Sequence, residues 1–128
     1  MFAGLGCGLD IVSGGELYRG IQAGFSPETI VYSGVGKRDD EIDFALDSGI
    51  LMFNVESLDE LKHIDERAGR MQTRAPVAMR VNPDVDAKTH PYISTGLREN
   101  KFGIDIHDAE RVYERAADMA NLRVTGID

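Results

Sequence analysis

The 128-residue sequence lacks the features that mark several protein classes. Its single cysteine, Cys7, cannot form an internal disulfide, and a reducing compartment such as the cytoplasm is expected. Four prolines and fourteen glycines are too few for a collagen-like or proline-rich chain. No apolar run is long enough to span a bilayer, and the first residues lack the basic start and apolar core of a signal peptide.

Basic residues are also scarce. There are 14 Lys and Arg against 22 Asp and Glu, which gives a formal net charge of −8. Because an acidic surface repels a phosphate backbone, we expect no nucleic-acid partner. The histidines His63, His90 and His107 are too scattered to predict a metal site. The remaining composition, 42% hydrophobic and 28% charged, is that of an ordinary globular domain.

Short apolar runs recur about every twenty residues and predict five β-strands, at 9–12, 30–32, 51–55, 77–81 and 122–127. Most of the runs are continuous rather than alternating, as in a parallel sheet buried on both faces. Helical periodicity separates the strands, and Ser57 with Glu60 predicts a capping box at the start of one helix. The sequence therefore predicts right-handed βα repeats in one α/β segment covering residues 1–128.

The interval between Asn82 and Gly103 interrupts this repeat. Loops of such length inside a compact domain are usually binding loops or lids. Polar residues also follow the predicted strands, where parallel α/β folds bind ligands: Asp10, Ser13, Glu16, Ser33, Asn54, Glu56, Arg80 and Asn82. A charged Arg80 inside an apolar strand needs a partner. Two interpretations stand: a structural pair with Asp10 or Glu56, or a contact to a cofactor.

Several segments together resemble the diaminopimelate decarboxylase family. They are DIVSGGEL at 10–17, YSGVGK at 32–37, FNVES at 53–57, RVNPDV at 80–85, HPYISTGL at 90–97 and NKFGI at 100–104. The resemblance covers essentially the whole chain. The HPYISTGL string is specific to this family among its relatives, whereas ornithine and arginine decarboxylases share the Asp, Glu, Arg and Lys-Phe-Gly positions.

The resemblance implies a pyridoxal-phosphate enzyme with an alanine-racemase-like (β/α)8 barrel followed by a β domain. Such enzymes convert meso-2,6-diaminopimelate to L-lysine and carbon dioxide, as cytoplasmic homodimers in lysine biosynthesis. By similarity, Asp10, Glu16 and Arg80 lie beneath or beside the cofactor. Lys101 serves an interface or site salt bridge. The loop 86–100 closes over the substrate, with Ile93 touching its aliphatic chain; the substrate-loop residues are His90, Ile93, Ser94 and Thr95.

The same resemblance places the catalytic groups elsewhere. The family's Schiff-base lysine and catalytic cysteine do not correspond to any residue here, and Lys37, Lys88 and Lys101 do not match the Schiff-base context. We therefore expect an internal segment holding about five of the eight barrel strands, and we expect this chain alone to bind no cofactor and to lack decarboxylase activity. The barrel's unpaired edges and inward side chains, with Phe53, Met79 and Val81 as candidates, predict self-association.

Two alternatives remain. A related decarboxylase acting on ornithine, arginine or carboxynorspermidine shares part of the motif set. A doubly wound receiver-like signalling module has a similar length and five-strand alternation. That module needs an acidic pair after the first strand, an Asp ending the third and a Lys ending the fifth. Here Glu56 follows the third strand, and no acidic pair follows Ile11 and Val12.

Overall fold

The computed structural model describes residues 1–83 and 102–128. Its strands, in chain order, are β1 (Leu9–Ile11), β2 (Ile30–Tyr32), β3 (Met52–Val55), β4 (Ala75–Met79), β5 (Val81–Asn82), β6 (Ile104–Asp105) and β7 (Leu122–Ile127). Its helices are α1 (Gly14–Gln22), α2 (Asp39–Ser48), α3 (Leu58–Arg70) and α4 (Ile106–Asp118), with 3-10 turns at Ala3–Leu5 and Pro27–Thr29. The predicted strand–helix alternation is confirmed.

Five of the strands form one parallel sheet in the order β1-β2-β3-β4-β7. The strands of this sheet are therefore neighbours in the same order in which they occur along the chain, and the order never reverses. A doubly wound receiver-like domain requires such a reversal, with the order 2-1-3-4-5. The consecutive order instead matches part of a (β/α)8 barrel, as the sequence predicts.

Helices cover one face of this sheet and build the core there. Strand residues pack against helix residues, and the fully buried members include Tyr32, Phe53, Val77, Met79, Leu17, Ile42, Leu61 and Ile64. The assignment of Phe53 and Met79 to the inward face is wrong. Phe53 pairs in register with Val77, and its ring stacks on Tyr32 at 5.9 Å on the helix-covered side. A continuous apolar run does not reveal this direction, because it lacks the alternation that distinguishes the faces.

The opposite face carries the alternate residues of the same strands. Val31 pairs in register with Met52, and Asn54 pairs with Ala78. The Thr125 hydroxyl lies 3.7 Å from the Met52 sulfur, so the Thr125 side chain of β7 is on the same face. The inward face is therefore made of small, polar and flexible side chains rather than large aromatics.

Local capping sets the helix boundaries. The hydroxyls of Ser13 and Ser57 each accept a hydrogen bond from the backbone N–H three residues later, at the starts of α1 and α3. Glu60 departs from the predicted capping box, because its carboxylate accepts from the backbone of Glu56 at 2.9 Å, one residue before the cap. Gly49 ends α2 in the left-handed conformation, with φ 71°.

A second, two-stranded parallel ladder follows β4. The predicted strand at 77–81 divides, since β4 ends at Met79 and β5 begins at Val81. Val81 then pairs with Ile104 of β6. None of the helices in the two described ranges is long and apolar enough to cross a membrane. The predicted substrate-loop residues His90, Ile93, Ser94 and Thr95, and also Lys101, lie outside the described residues.

Candidate active site

A cavity of about 380 Å³ opens at the carboxyl ends of the strands. In parallel α/β folds this edge carries ligand sites, because the loops following the strands converge there. The lining residues lie in β1, directly after β2, in and around β5, shortly before β6 and directly after β7: Asp10, Ser33, Arg80, Val81, Asn82, Pro83, Phe102 and Asp128. The structure thus brings four of the predicted strand-end residues to one cavity, and two of them, Asp10 and Arg80, are predicted cofactor residues.

Arg80 is held by an ion pair with Glu56. The guanidinium Nη1 lies 3.0 Å from Glu56 Oε1, and the Asp128 carboxylate lies 3.9 Å from Arg80 Nε. The Glu56 side chain is only 4% exposed, whereas that of Arg80 is 34% exposed. Glu56 was one of the two partners left open by the sequence, and the described geometry selects it over Asp10. The pair leaves part of the guanidinium open to the cavity.

Asp10 is oriented by a short polar chain running across three strands. The Asn54 side-chain amide donates to the Ser33 hydroxyl at 3.2 Å, and Ser33 donates to Asp10 Oδ1 at 2.6 Å. Because Ser33 is a donor to the carboxylate and an acceptor from the amide, the direction of the chain is set. The arrangement holds Asp10 in one orientation at the mouth of the cavity.

Glu16 has a different position. Its Oε2 accepts a hydrogen bond from the Val12 N–H at 2.7 Å, so the carboxylate turns back onto the loop that begins α1. It lines a separate, mainly apolar groove beside β1, which shares Asp10 and includes Leu9 and Phe25. The described structure therefore separates Glu16 from the cavity that Arg80 lines.

Lys37 is a buried residue whose structural role the sequence did not indicate. Its ammonium donates to Gly34 O at 2.7 Å, to Asn54 O at 2.9 Å and to Glu60 Oε1 at 2.5 Å. These three acceptors use all three ammonium protons. Lys37 thereby joins the loop after β2 to the end of β3 and the start of α3.

Two further cavity residues, Phe102 and Asp128, were not among the predicted site residues. Phe102 belongs to the NKFGI segment, where only Lys101 carried a predicted role, and Asp128 lies one residue beyond β7. The sequence could have indicated Asp128 as a site residue, because it directly follows a predicted strand. Within residues 1–83 and 102–128, no cluster of three or more His, Cys, Asp or Glu side chains could hold a metal ion.

Comparisons with known proteins identify the family. The family model described as "Pyridoxal-dependent decarboxylase, pyridoxal binding domain" matches residues 1–128. The diaminopimelate decarboxylase of Aquifex aeolicus is 57% identical over 123 residues, which cover 96% of this chain and 29% of that protein. The enzyme of the same name from Pseudomonas aeruginosa is 56% identical over 128 residues, covering 100% of this chain and 31% of that protein.

Solved structures agree. Diaminopimelate decarboxylase from Helicobacter pylori complexed with L-lysine superposes with a TM-score of 0.94 at 47% identity, over 98% of this chain and 32% of that one. The arginine decarboxylase of Paramecium bursaria Chlorella virus, at 24% identity and a TM-score of 0.77, shares the fold. This chain spans about a third of the length of the relatives it matches. Across its whole length, the chain belongs to the pyridoxal-dependent decarboxylases, in their pyridoxal-binding domain.

Proposed function

We propose that this chain forms part of the pyridoxal-phosphate site of a decarboxylase that converts meso-2,6-diaminopimelate to L-lysine and carbon dioxide. The support comes from sequence relatives that bear this enzyme's name and are 57% and 56% identical. The superposable Helicobacter pylori protein is complexed with L-lysine, which is the product expected here. The HPYISTGL string at 90–97 favours diaminopimelate over ornithine and arginine as substrate.

One observation carries the proposal: Asp10 and Arg80, from different strands, line a single cavity at the carboxyl edge of the parallel sheet. Its volume of about 380 Å³ is within the range of small-ligand sites. Each of the two charged groups is oriented by residues behind it, Ser33 for Asp10 and Glu56 for Arg80. Such oriented charges are a requirement for binding and orienting a polar ligand.

The described residues fit one end of pyridoxal phosphate. Two carboxylates, Asp10 and Asp128, and one guanidinium line the cavity, so this wall favours a cationic ring or ammonium group over a phosphate. Two buried acceptors just behind it, Asn54 Oδ1 and Glu56 Oε2, have no hydrogen-bond partner among the described residues. When bound, pyridoxal phosphate supplies an electron sink for the electron pair left when a carboxylate departs as carbon dioxide.

We assign the roles accordingly. Asp10 and Arg80 contact the cofactor or the substrate atoms next to it. A role of Glu16 beside the cofactor is supported by the family resemblance alone, because Glu16 lines a separate groove. The roles of His90, Ile93, Ser94 and Thr95 in holding the substrate, and of Lys101 in a salt bridge, are supported by the family resemblance alone. The parent enzyme is proposed to be a cytoplasmic homodimer.

We also propose that this chain alone does not decarboxylate diaminopimelate. Of the described lysines, Lys37 is buried with three acceptors, and Lys62 pairs with Asp59 on the surface of α3. Neither lines the cavity, so neither is available to form the covalent bond to the cofactor that this chemistry needs. Incubation with pyridoxal phosphate is expected to give no stoichiometric imine absorbance band and no lysine. A band with turnover would contradict this proposal.

A chimera tests the proposed function directly. This chain replaces the matching 128-residue segment of the Pseudomonas aeruginosa diaminopimelate decarboxylase, and release of lysine is measured with diaminopimelate, ornithine and arginine as substrates. We expect lysine from diaminopimelate and no product from the other two. The chimera carrying Arg80→Met should lose about tenfold or more in activity, because a charged hydrogen bond is removed. Arg111→Met, on the exposed face of α4, is the matched control.

A chimera that folds and binds pyridoxal phosphate but decarboxylates ornithine or arginine preferentially would assign the chain to a related decarboxylase. A folded chimera in which Arg80→Met and Arg111→Met have equal activity would refute the role of Arg80. Thermal unfolding of each variant shows whether the chimera is folded before activity is compared.

A further inference from the structure

We propose that Phe102 and Gly103 are positioning residues that hold the Arg80 guanidinium in a fixed orientation at the cavity. The catalytic relevance of that orientation rests on the proposed function, but the holding itself is a property of this chain. Phe102 lies 22 positions after Arg80 in sequence, and Gly103 lies 23 positions after it. They nevertheless contact both its backbone and its side chain, and each contact uses a feature specific to the residue type.

Gly103 packs directly on the stem of Arg80. It has φ +84°, and a Cβ built there would lie 2.8 Å from Arg80 O and 3.3 Å from Arg80 Cγ. The first distance is shorter than real Cβ contacts, and the positive φ is itself unfavourable for any other residue type. Glycine therefore allows the returning chain to lie against the arginine's first methylene groups, which limits the rotamers available to them.

Phe102 covers the charged end of the same side chain. The guanidinium carbon of Arg80 lies 5.8 Å from the centre of the Phe102 ring, within cation–π range. Phe102 is 47% exposed, so the ring is not part of the hydrophobic core. An aromatic ring in this half-exposed place contributes mainly by restricting and partly desolvating the guanidinium it faces.

The backbone secures both contacts. The Ile104 N–H donates to Arg80 O at 2.7 Å, and β5 pairs with β6 from Val81 to Ile104. The Asn82 side-chain amide also lies 3.4 Å from Phe102 O. These bonds return the chain to the end of β4 at a fixed register. Phe102 and Gly103 are consequently held against Arg80 by the ladder.

Together with Glu56, these contacts confine Arg80 from several directions. The carboxylate binds one guanidinium nitrogen, the ring covers the guanidinium carbon, and Gly103 limits the stem. A carboxylate alone leaves a flexible arginine free to change rotamer while keeping one contact. A ligand atom that accepts a hydrogen bond from Arg80 would meet a guanidinium whose orientation is already set, which lowers the cost of binding.

Nuclear magnetic resonance of the ligand-free chain tests this inference. The Arg80 Nε–H signal is followed in the wild type, Phe102→Leu and Phe102→Tyr. Leucine keeps an apolar side chain without the aromatic face, whereas tyrosine keeps that face. We expect Phe102→Leu to speed exchange of the Arg80 Nε–H with water about threefold and to lower its order parameter. Phe102→Tyr should have the exchange rate and the order parameter of the wild type.

Arg111 Nε–H in the same spectra is the internal control and should not change. Equal Arg80 exchange rates and order parameters in the wild type and Phe102→Leu would overturn the inference. So would Phe102→Tyr behaving like Phe102→Leu. Because these measurements use no cofactor and no turnover, they can fail while the chimera's activity with Arg80 intact still supports the proposed function. Conversely, the Arg80 exchange rates can respond to Phe102→Leu as expected while the chimera shows no activity with diaminopimelate.

Discussion

Two cations near the carboxyl edge, Lys37 and Arg80, are stabilised in different ways. The Lys37 side chain is 1% exposed and its ammonium has three acceptors within the protein, so it has no donor left for a ligand. The Arg80 side chain remains 34% exposed and keeps donors open toward the cavity. A buried ion is tolerated only when its hydrogen bonds are satisfied. The difference explains why we assign Lys37 to structure and Arg80 to ligand binding.

Removing the guanidinium of Arg80 should destabilise the chain. Arg80→Met leaves the Glu56 carboxylate buried without its counter-charge, at a cost of about 2 kcal/mol after allowance for the exposure of Arg80. Urea unfolding measures this loss. The double variant Arg80→Met/Glu56→Gln should recover part of it, because no charge is then left unpaired. Arg111→Met, which breaks an exposed pair with Asp108, should cost less than about 0.5 kcal/mol. Additive losses in the double variant would contradict the pairing.

Acid should weaken the fold through Glu41. The Gly14 N–H hydrogen bond holds the pKa of the Glu41 carboxyl below its ordinary 4.5. A lowered folded-state pKa means that this stabilisation is fully present above pH 4.5 and is lost as the pH falls through the folded value. Glu41→Gln should therefore be less stable than the wild type at neutral pH, and the difference should shrink on acidification. Glu114→Gln, exposed on α4, is the control in urea unfolding at each pH.

At the scale of elements, the β5–β6 ladder explains the glycine in the NKFGI segment. Gly103 is required by a close approach, whereas Gly24 has a similar φ of +88° with nothing within 4 Å of a built Cβ. The two glycines share the conformational cost of adding a side chain but differ in the contact that it would make. A comparison of substitutions at Gly24 and Gly103 therefore distinguishes the cost of a positive φ from the cost of a side chain that overlaps Arg80.

Gly103→Ala should destabilise the chain by about 1 to 3 kcal/mol more than Gly24→Ala does, because the new methyl group overlaps Arg80 O. The Ile104 amide, which donates to that oxygen, should also lose protection from hydrogen exchange. Urea unfolding and amide exchange of both variants provide the measurements. Equal losses of stability in the two variants would show that the close approach does not matter.

The elements themselves were largely predictable, and the contacts between them were not. Continuous apolar runs predicted the five main strands, and Ser57 predicted the start of α3. The direction of Phe53 was not predictable, because a run without polar positions gives no phase. The ladder of β5 with β6 was also missed, since strands of two residues have too little pattern. The charge of Arg80 inside an apolar strand predicted that it needs a partner. The choice of Glu56 over Asp10 depends on strand register, which the sequence alone does not give.

At the scale of the molecule, the sheet is open. Strands β1 and β7 are each paired on one side only within the described sheet, and parallel edges of this kind bind other strands. Ile127 on the β7 edge is 69% exposed, and Val124 in the same strand is 38% exposed. The closure of a barrel pairs such edges, whereas within the described residues neither β1 nor β7 has a second neighbouring strand.

Self-association should follow from these edges, and a charge placed on one of them should reduce it. Sedimentation of the wild type is expected to show a mass that rises with protein concentration. Ile127→Lys should shift that curve toward the monomer, because edge lysines oppose strand pairing. Val35→Lys changes a residue of similar exposure, 61%, in the loop after β2, and should leave the curve unchanged. A monomeric wild type at high concentration, or equal effects of the two lysines, would show that the open edges do not drive association.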